Sequence, residues 1–335
     1  MREMRDTSAV PSRWLSAHLY FSQDRAALYG EYADAIALDV VAPFVARCRE
    51  RGWISRFFFI RYSDGSSHVR LRLEGSADVL SRCVGPALVD HVRSVSPGVV
   101  IDGDADLSSD HSTQVVALRW VPYEPETVRY GGPYALAVAE TLFSASSDAA
   151  LALLPAICAQ PRRVRLGRAL LAMLAIVHPH ATRPADAITF FDAYHRQYLR
   201  FFAQNETARS WLDTKFREGV RGQEATLRPY VLEAWDRLTS SESISPSTDT
   251  LAAAAKAACT ELRVLQDAGN LGVRPASADE SRQLLVGIVA SYVHMMNNRL
   301  GVRVDEEAYL AYACTEALGA RVSAMSAQMA AKMAE

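Results

Sequence analysis

Three groups of polar side chains in this sequence have the types and spacing to do chemistry. The first lies in residues 56–75, RFFFIRYSDGSSHVRLRLEG, where His68, Arg70 and Arg72 alternate with Val69, Leu71 and Leu73. On a strand, that alternation sends the histidine and both arginines to one face and the aliphatics to the other. Two guanidiniums two residues apart stand roughly 7 Å from one another along the strand. Cations fixed at that spacing can clamp a carboxylate or stabilise an oxyanion. A solvated strand face carries the same pattern.

The second group, YEPETVRYGG at 123–132, sets Tyr123 and Arg129 ahead of a glycine pair. Gly131 and Gly132 let the backbone turn tightly or approach another segment closely. An inter-domain linker with a buried tyrosine has a similar composition. The third group is SYVHMMNNRLG at 291–301. On a helix, Ser291, His294 and Asn298 fall at i, i+3 and i+7, on one face. Imidazole exchanges a proton near neutral pH, and the neighbouring hydroxyl and amide can orient it. A hydrogen-bonded packing histidine fits the same spacing. Gly301 is placed to end that helix.

The basic run Arg162, Arg163, Arg165 and Arg168 reads as a solvated helix face, or as a dock for an acidic peptide. His178 and His180 lack Cys, Asp or Glu at metal-ligand spacing, so no metal is expected. The sequence has no GxxxxGK[ST], no GxGxxG after a strand and no GxSxG. Nucleotide, dinucleotide and hydrolase chemistry lose ground accordingly.

These groups need elements to position them. Residues 14–21 alternate as a strand, and a helix follows over 24–50 with Ser22 or Asp24 as its cap. Runs 57–62 and 68–73 flank a Ser-Asp-Gly-Ser-Ser loop and predict a hairpin. A second helix is expected over 76–92, capped by Ser76 or Asp78. Pro97-Gly98 then turns the chain into short strands at 99–101 and 113–121, either side of a polar loop at 102–112. That order is the split βαβ of a ferredoxin-like βαββαβ sheet region. From residue 134 the helical period dominates, over 134–145, 147–159, 161–178, 185–204, 206–218, 222–239, 249–268, 278–299 and 304–333. Residues 239–249 read as a mobile loop. The expected architecture is α+β, with a disordered lead-in at 1–12, a ferredoxin-like region at 13–122 and a larger helical region at 123–335. The two regions are expected to form one unit with a cleft between them.

Half of the 335 residues are hydrophobic and 22% are charged, the make-up of a globular protein with a sizeable core. A net charge of −2 gives no reason to expect a nucleic-acid partner. Five scattered cysteines without a CxxC predict reduced thiols and a cytoplasmic location. The N-terminal residues have no apolar signal core, and no run approaches the ~18 apolar residues of a membrane span.

Three motifs in this order, FFFIRYSDGSSHVRLRLEG, YEPETVRYGGPYALAVAETLF and SYVHMMNNRLG, resemble one family. They look like the elimination domain of class I lanthipeptide dehydratases, also found as stand-alone proteins in thiopeptide biosynthesis. The resemblance spans roughly residues 14–321. It implies a lyase that expels glutamate from a glutamylated Ser or Thr of a precursor peptide, leaving a dehydroamino acid and using no cofactor. Arg70, Arg72, Arg129 and His294 match the family's catalytic positions, with Arg119 also near the third. The arginines would bind the glutamyl carboxylate and stabilise the enolate, and His294 would be the general acid or base. Arg61, Tyr123, Ser291, Asn298 and Arg299 are the candidate substrate contacts. With no glutamyl-transferring domain in this sequence, a separate glutamylating subunit is an expected partner beside the precursor peptide.

The same fold also serves thiopeptide pyridine synthases, which join two dehydroalanines in a formal [4+2] aza-cycloaddition with loss of water and the leader peptide. The four retained Arg and His positions favour elimination over cyclisation. A non-catalytic module that holds the leader peptide is a third reading.

Overall fold

The computed structural model describes residues 12–22, 29–103, 115–203, 205–272 and 277–334. Residues 1–11 of the lead-in expected at 1–12, the Asp24 cap and the greater part of the polar loop after residue 102 lie outside these residues, and Ser12 opens the first strand. The chain divides into two compact units, Met1–Glu124 and Pro125–Glu335.

The first unit is built on a sheet of β1 (Ser12–Ser22), β2 (Arg56–Ser63), β3 (Ser67–Ser76), β4 (Val100–Ile101) and β5 (Ala117–Trp120). Their order is β2-β3-β1-β5-β4. Neighbours run antiparallel except for the parallel β4–β5 pair. The β2–β3 hairpin turns through Asp64, Gly65 and Ser66, and Gly65 takes φ 98°, where a side chain would be strained. Along β3, Val69, Leu71 and Leu73 are fully buried, in register with Arg61, Phe59 and Phe57 on β2. Each such aliphatic or aromatic burial contributes about 1.5–3 kcal/mol.

Two broken helices cover that apolar face. The first runs α1 (Glu31–Ala35), a π turn (Ile36–Val41) and α2 (Ala42–Glu50); the second runs α3 (Ala77–Val79), a π turn (Leu80–Val84) and α4 (Gly85–Val95). Each widens just ahead of a proline, Pro43 or Pro86. Proline offers no N–H to the carbonyl four residues back and its ring crowds that position, which a wider turn accommodates. Ser76 caps the second helix through Val79 N–H, as expected. The helices are tied to the sheet by Arg49 over the Phe57 ring at 4.8 Å. They are tied to each other by Arg47 donating to Ala87 O (3.2 Å) and by His91 against Val40 O (3.0 Å).

The second unit is helical: α5 (Pro133–Ile157), α6 (Arg162–Val177), α7 (Pro184–Phe202), α8 (Glu206–Gly222), α9 (Glu224–Ser240), α10 (Pro246–Asp267), α11 (Ala278–Arg299) and α12 (Val304–Ala334). The segments expected at 134–145 and 147–159 are one helix, α5, because nothing at Ser146-Ser147 breaks it. By length and composition α5 could cross a membrane, contrary to expectation, but 67% of its apolar window is buried inside the protein. It is a core helix. The loop expected at 239–249 is shorter than foreseen and pinned. Asp249, in the first turn of α10, accepts from Ile244 N–H (2.9 Å) and Ser243 Oγ (2.5 Å).

Candidate functional site

Candidate groups fall in both units. On the sheet, the strand register sets Ser16 beside Arg72, His18 beside Arg70, and Tyr20 beside His68. Across β1, His18 also pairs with Arg119 of β5. The alternation expected for His68, Arg70 and Arg72 is therefore present, on the face away from the unit's helices. It is not a solvated face, since His68 is 0% and Arg72 7% exposed.

Aromatic rings hold these cations in place. Arg70 stacks on Tyr62 with its guanidinium carbon 3.3 Å from the ring centre, and reaches Asp64 at 3.2 Å. Arg72 lies between Phe58 (5.3 Å) and Tyr123 (4.9 Å), so Tyr123 does meet one of the arginines. Cation–π contact orients a guanidinium without neutralising it. His68 is fixed as a neutral tautomer. Its Nδ1–H donates to Ser66 O (3.0 Å), and its Nε2 accepts from Arg70 Nε (3.1 Å). Burial foremost lowers its pKa, and the Arg70 and Arg72 charges add to this. His18 stacks on His68 at 4.7 Å, and burial with the adjacent His68, Arg70 and Arg72 pushes its pKa down to about 3. Both imidazoles are uncharged at neutral pH.

In the helical unit α11 carries Ser291, His294 and Asn298 on one face. Gly301 (φ 65°) ends the helix, its N–H bonded to Asn298 O at 2.9 Å. The turn brings the start of α12 back against α11, and there Glu307 meets His294. The Nδ1 of His294 lies 3.0 and 3.2 Å from the two oxygens of this fully buried carboxylate. Glu307 also accepts a hydrogen bond from the Tyr194 hydroxyl on α7. Because the carboxylate is the acceptor, Nδ1 carries the proton and Nε2 is the atom left to exchange one. Tyr198 packs over His294 at 5.6 Å and over Tyr194 at 4.5 Å. Burial and the Glu307 charge raise both phenol pKa values, so both stay protonated donors. Arg129 donates to Ser291 Oγ (3.1 Å) and to Glu126 (3.1 Å), and its side chain is 39% exposed. It thus reaches the α11 face that carries His294.

The backbone around Arg129 is clasped by the glycine pair. Gly272 N–H donates to Gly131 O at 2.7 Å, and a Cβ on Gly132 would sit 2.4 Å from Gly272 O. This is the close approach that the two glycines suggested.

Two expected substrate contacts take other roles. Arg61 points to the helix-covered side, is 1% exposed and pairs with Asp34 of α1 at 2.6 Å. Arg299 is 0% exposed, donates to Ser147 Oγ (2.9 Å) and packs on Phe143. Neither can touch a substrate without unfolding its surroundings. Ser291 is spent on Arg129 and Gly287 O, whereas Asn298 remains partly exposed. The basic start of α6 is a solvated face only in part, with Arg163 exposed. Arg162 binds Glu306 and Gly301 O (2.8 Å), and buried Arg165 donates to Leu300 O (2.5 Å), bracing the turn that presents Glu307. Sequence reasoning missed Glu307, Tyr194, Tyr198, Ser16 and His18.

The family model described as lantibiotic biosynthesis dehydratase C-term matches residues 14–318. No curated protein matches the chain. Among solved structures, the chain resembles TsrL at 19% identity and TM-score 0.59, covering 92% of this chain and 94% of that one. It resembles TbtD, a pyridine synthase from thiomuracin biosynthesis, at 16% identity and TM-score 0.66, covering 91% and 97%. It also resembles MibB, a tRNA-dependent lantibiotic dehydratase from Microbispora sp. 107891, at 21% identity and TM-score 0.57. That match takes in 97% of this chain but only 29% of MibB.

Proposed function

The chain belongs to the lantibiotic biosynthesis dehydratase C-terminal family, and we propose that it is a lyase that eliminates glutamate from glutamylated Ser or Thr in a ribosomally made precursor peptide. The observation that carries this reading is His294 held through Nδ1 by buried Glu307, with Arg129 anchored on the same helix face. A base fixed in one tautomer beside a cation suits removal of a carbon-bound proton next to a carbonyl.

In this scheme His294 Nε2 takes the α-proton of the esterified residue. The electron pair becomes the Cα–Cβ double bond, the Cβ–O bond breaks, and glutamate leaves with both electrons as its carboxylate. Charge builds on the peptide carbonyl oxygen in the enolate-like transition state, where a guanidinium stabilises it most. Arg70 and Arg72, oriented by Tyr62, Phe58 and Tyr123, are the proposed holders of the glutamyl group. Glu307 stabilises the imidazolium that forms, and the partner peptide supplies the leader for recognition.

A second reading, pyridine formation by [4+2] cyclisation, draws on the fold shared with TbtD. Mass spectrometry of two leader-bearing peptides separates them. One carries a glutamyl ester at Ser, the other two dehydroalanines. Loss of glutamic acid from the first alone supports the lyase. A macrocycle and a freed leader from the second would replace that reading with the synthase.

A further inference from the structure

We infer that Tyr194 is a positioning residue for His294: its hydroxyl holds part of the Glu307 charge, so that the carboxylate orients the imidazole without keeping it permanently charged. For the reaction this serves, the inference rests on the lyase reading. Glu307 is 0% exposed, and among the described residues two side chains bond its carboxylate, the Tyr194 hydroxyl and His294 Nδ1. The ion-pair partner it has there is His294 itself.

A buried carboxylate has to be held by donors or neutralised. An arginine in place of Tyr194 would cancel the charge and leave the imidazolium without its stabiliser. With no second donor, the whole charge would fall on His294 and hold it as imidazolium, which is no base. A phenol stands between these cases, because it donates but carries no charge of its own. Burial foremost, and then the Glu307 charge, raise the Tyr194 pKa well above its ordinary value, so it stays a donor through the neutral range. The fold fixes where it points. Beside it on α7, His195 donates through Nδ1 to Ala308 O (2.9 Å), so two adjacent residues of α7 grip two adjacent residues of α12. Tyr198, one turn on, covers Tyr194 at 4.5 Å and His294 at 5.6 Å. Of the other charges nearby, Arg129 meets Ser291 and Glu126 and acts on Tyr198, while Arg162 and Arg165 of α6 turn to Glu306 and Leu300 O.

The test follows His294 by NMR in the full chain carrying ¹⁵N-histidine, over a pH series and without substrate. Its signal is identified by its loss in His294→Ala. Tyr194→Phe, which removes one oxygen, should raise the midpoint of the His294 titration by about one pH unit, a tenfold change in proton affinity. Glu307→Gln, which removes the charge itself, should lower it. With the glutamyl-ester peptide, the acid limb of kcat for Tyr194→Phe should move up by the same step. KM should hold, and the rate at high pH should return to within ~3-fold of wild type. A merely structural role gives no such return. Rate loss at every pH with an unmoved titration would overturn the inference. If Tyr194→Phe does not fold, 3-fluorotyrosine placed at position 194 keeps the shape and donates more strongly, so the midpoint should fall. An unmoved midpoint there would overturn the inference equally. Glutamate release is read apart from the titration. Displaced midpoints without release remove the lyase and keep the positioning role; release with unmoved midpoints does the reverse.

Discussion

On the sheet, His68 is wedged between a backbone carbonyl and an arginine, and His18 stacks on it among more arginines; in the helical unit, His294 faces a buried carboxylate. Burial foremost, with the adjacent arginine charges, disfavours a proton on the first two. His294 instead sets its Nδ1 against a carboxylate. The same side chain is a neutral group packed among rings and guanidiniums in one unit and, in the other, an imidazole oriented by a carboxylate, the proposed proton carrier. Arginine divides in a similar way. Arg70 and Arg72 lie against ring faces, Arg70 also pairing with Asp64, and are the ones proposed to meet substrate, whereas Arg61 and Arg299 are committed to the fold.

The contrast predicts the largest effect at the proposed catalytic residues. His294→Ala and Arg72→Ala should each lower glutamate elimination by about 10²-fold or more while circular dichroism stays native. Wild-type rates in both variants would dissolve the distinction. Glu307→Gln, which keeps the shape of the buried group but not its charge, should cost kcat about 10–10²-fold with little change in KM. A shift in KM alone would make Glu307 a binding group instead.

On the structural side, Arg61→Ala should destabilise the protein by about 3–5 kcal/mol in urea, because it strands Asp34 in the core. The folded fraction should keep its specific activity. A folded Arg61→Ala with normal stability and poor turnover would restore that residue to the substrate. The smallest effect is a pH dependence. His18 titrates well below its unfolded value of 6.5, so the unfolded chain binds the extra proton between about pH 3 and 6.5. Stability from this group is whole above pH 6.5 and drains away as pH falls, by up to about 1.4 kcal/mol per unit. Urea midpoints at pH 7 and 5 should differ less in His18→Asn than in wild type. An unchanged difference would mean that His18 is not held neutral.

Much of this was legible in the chain. Strict alternation at 68–73 fixed the orientation of Arg70 and Arg72, and the spacing of Ser291, His294 and Asn298 placed the histidine face of α11. The i+3 rule could not find Glu307, because the run Asp305-Glu306-Glu307 reads as ordinary acids at a helix start; only the Gly301 turn folds the third of them under His294. Arg61 carries a usable signal in the sequence. It shares strand parity with Phe57 and Phe59, both fully buried, rather than with the arginine face of β3. The braces at Arg162 and Arg165 bridge more than 130 residues of sequence, a distance at which local pattern carries no information.

Gly132 gives that long-range architecture an evolutionary shadow. With φ at 95° and the Gly272 carbonyl pressed against its missing side chain, the position has no neighbouring substitution to drift into. In a library selected for product, Gly132 would be as intolerant as His294 although it handles no proton. The yield of folded protein alone would tell a residue that does chemistry from one that keeps the room in which chemistry is done.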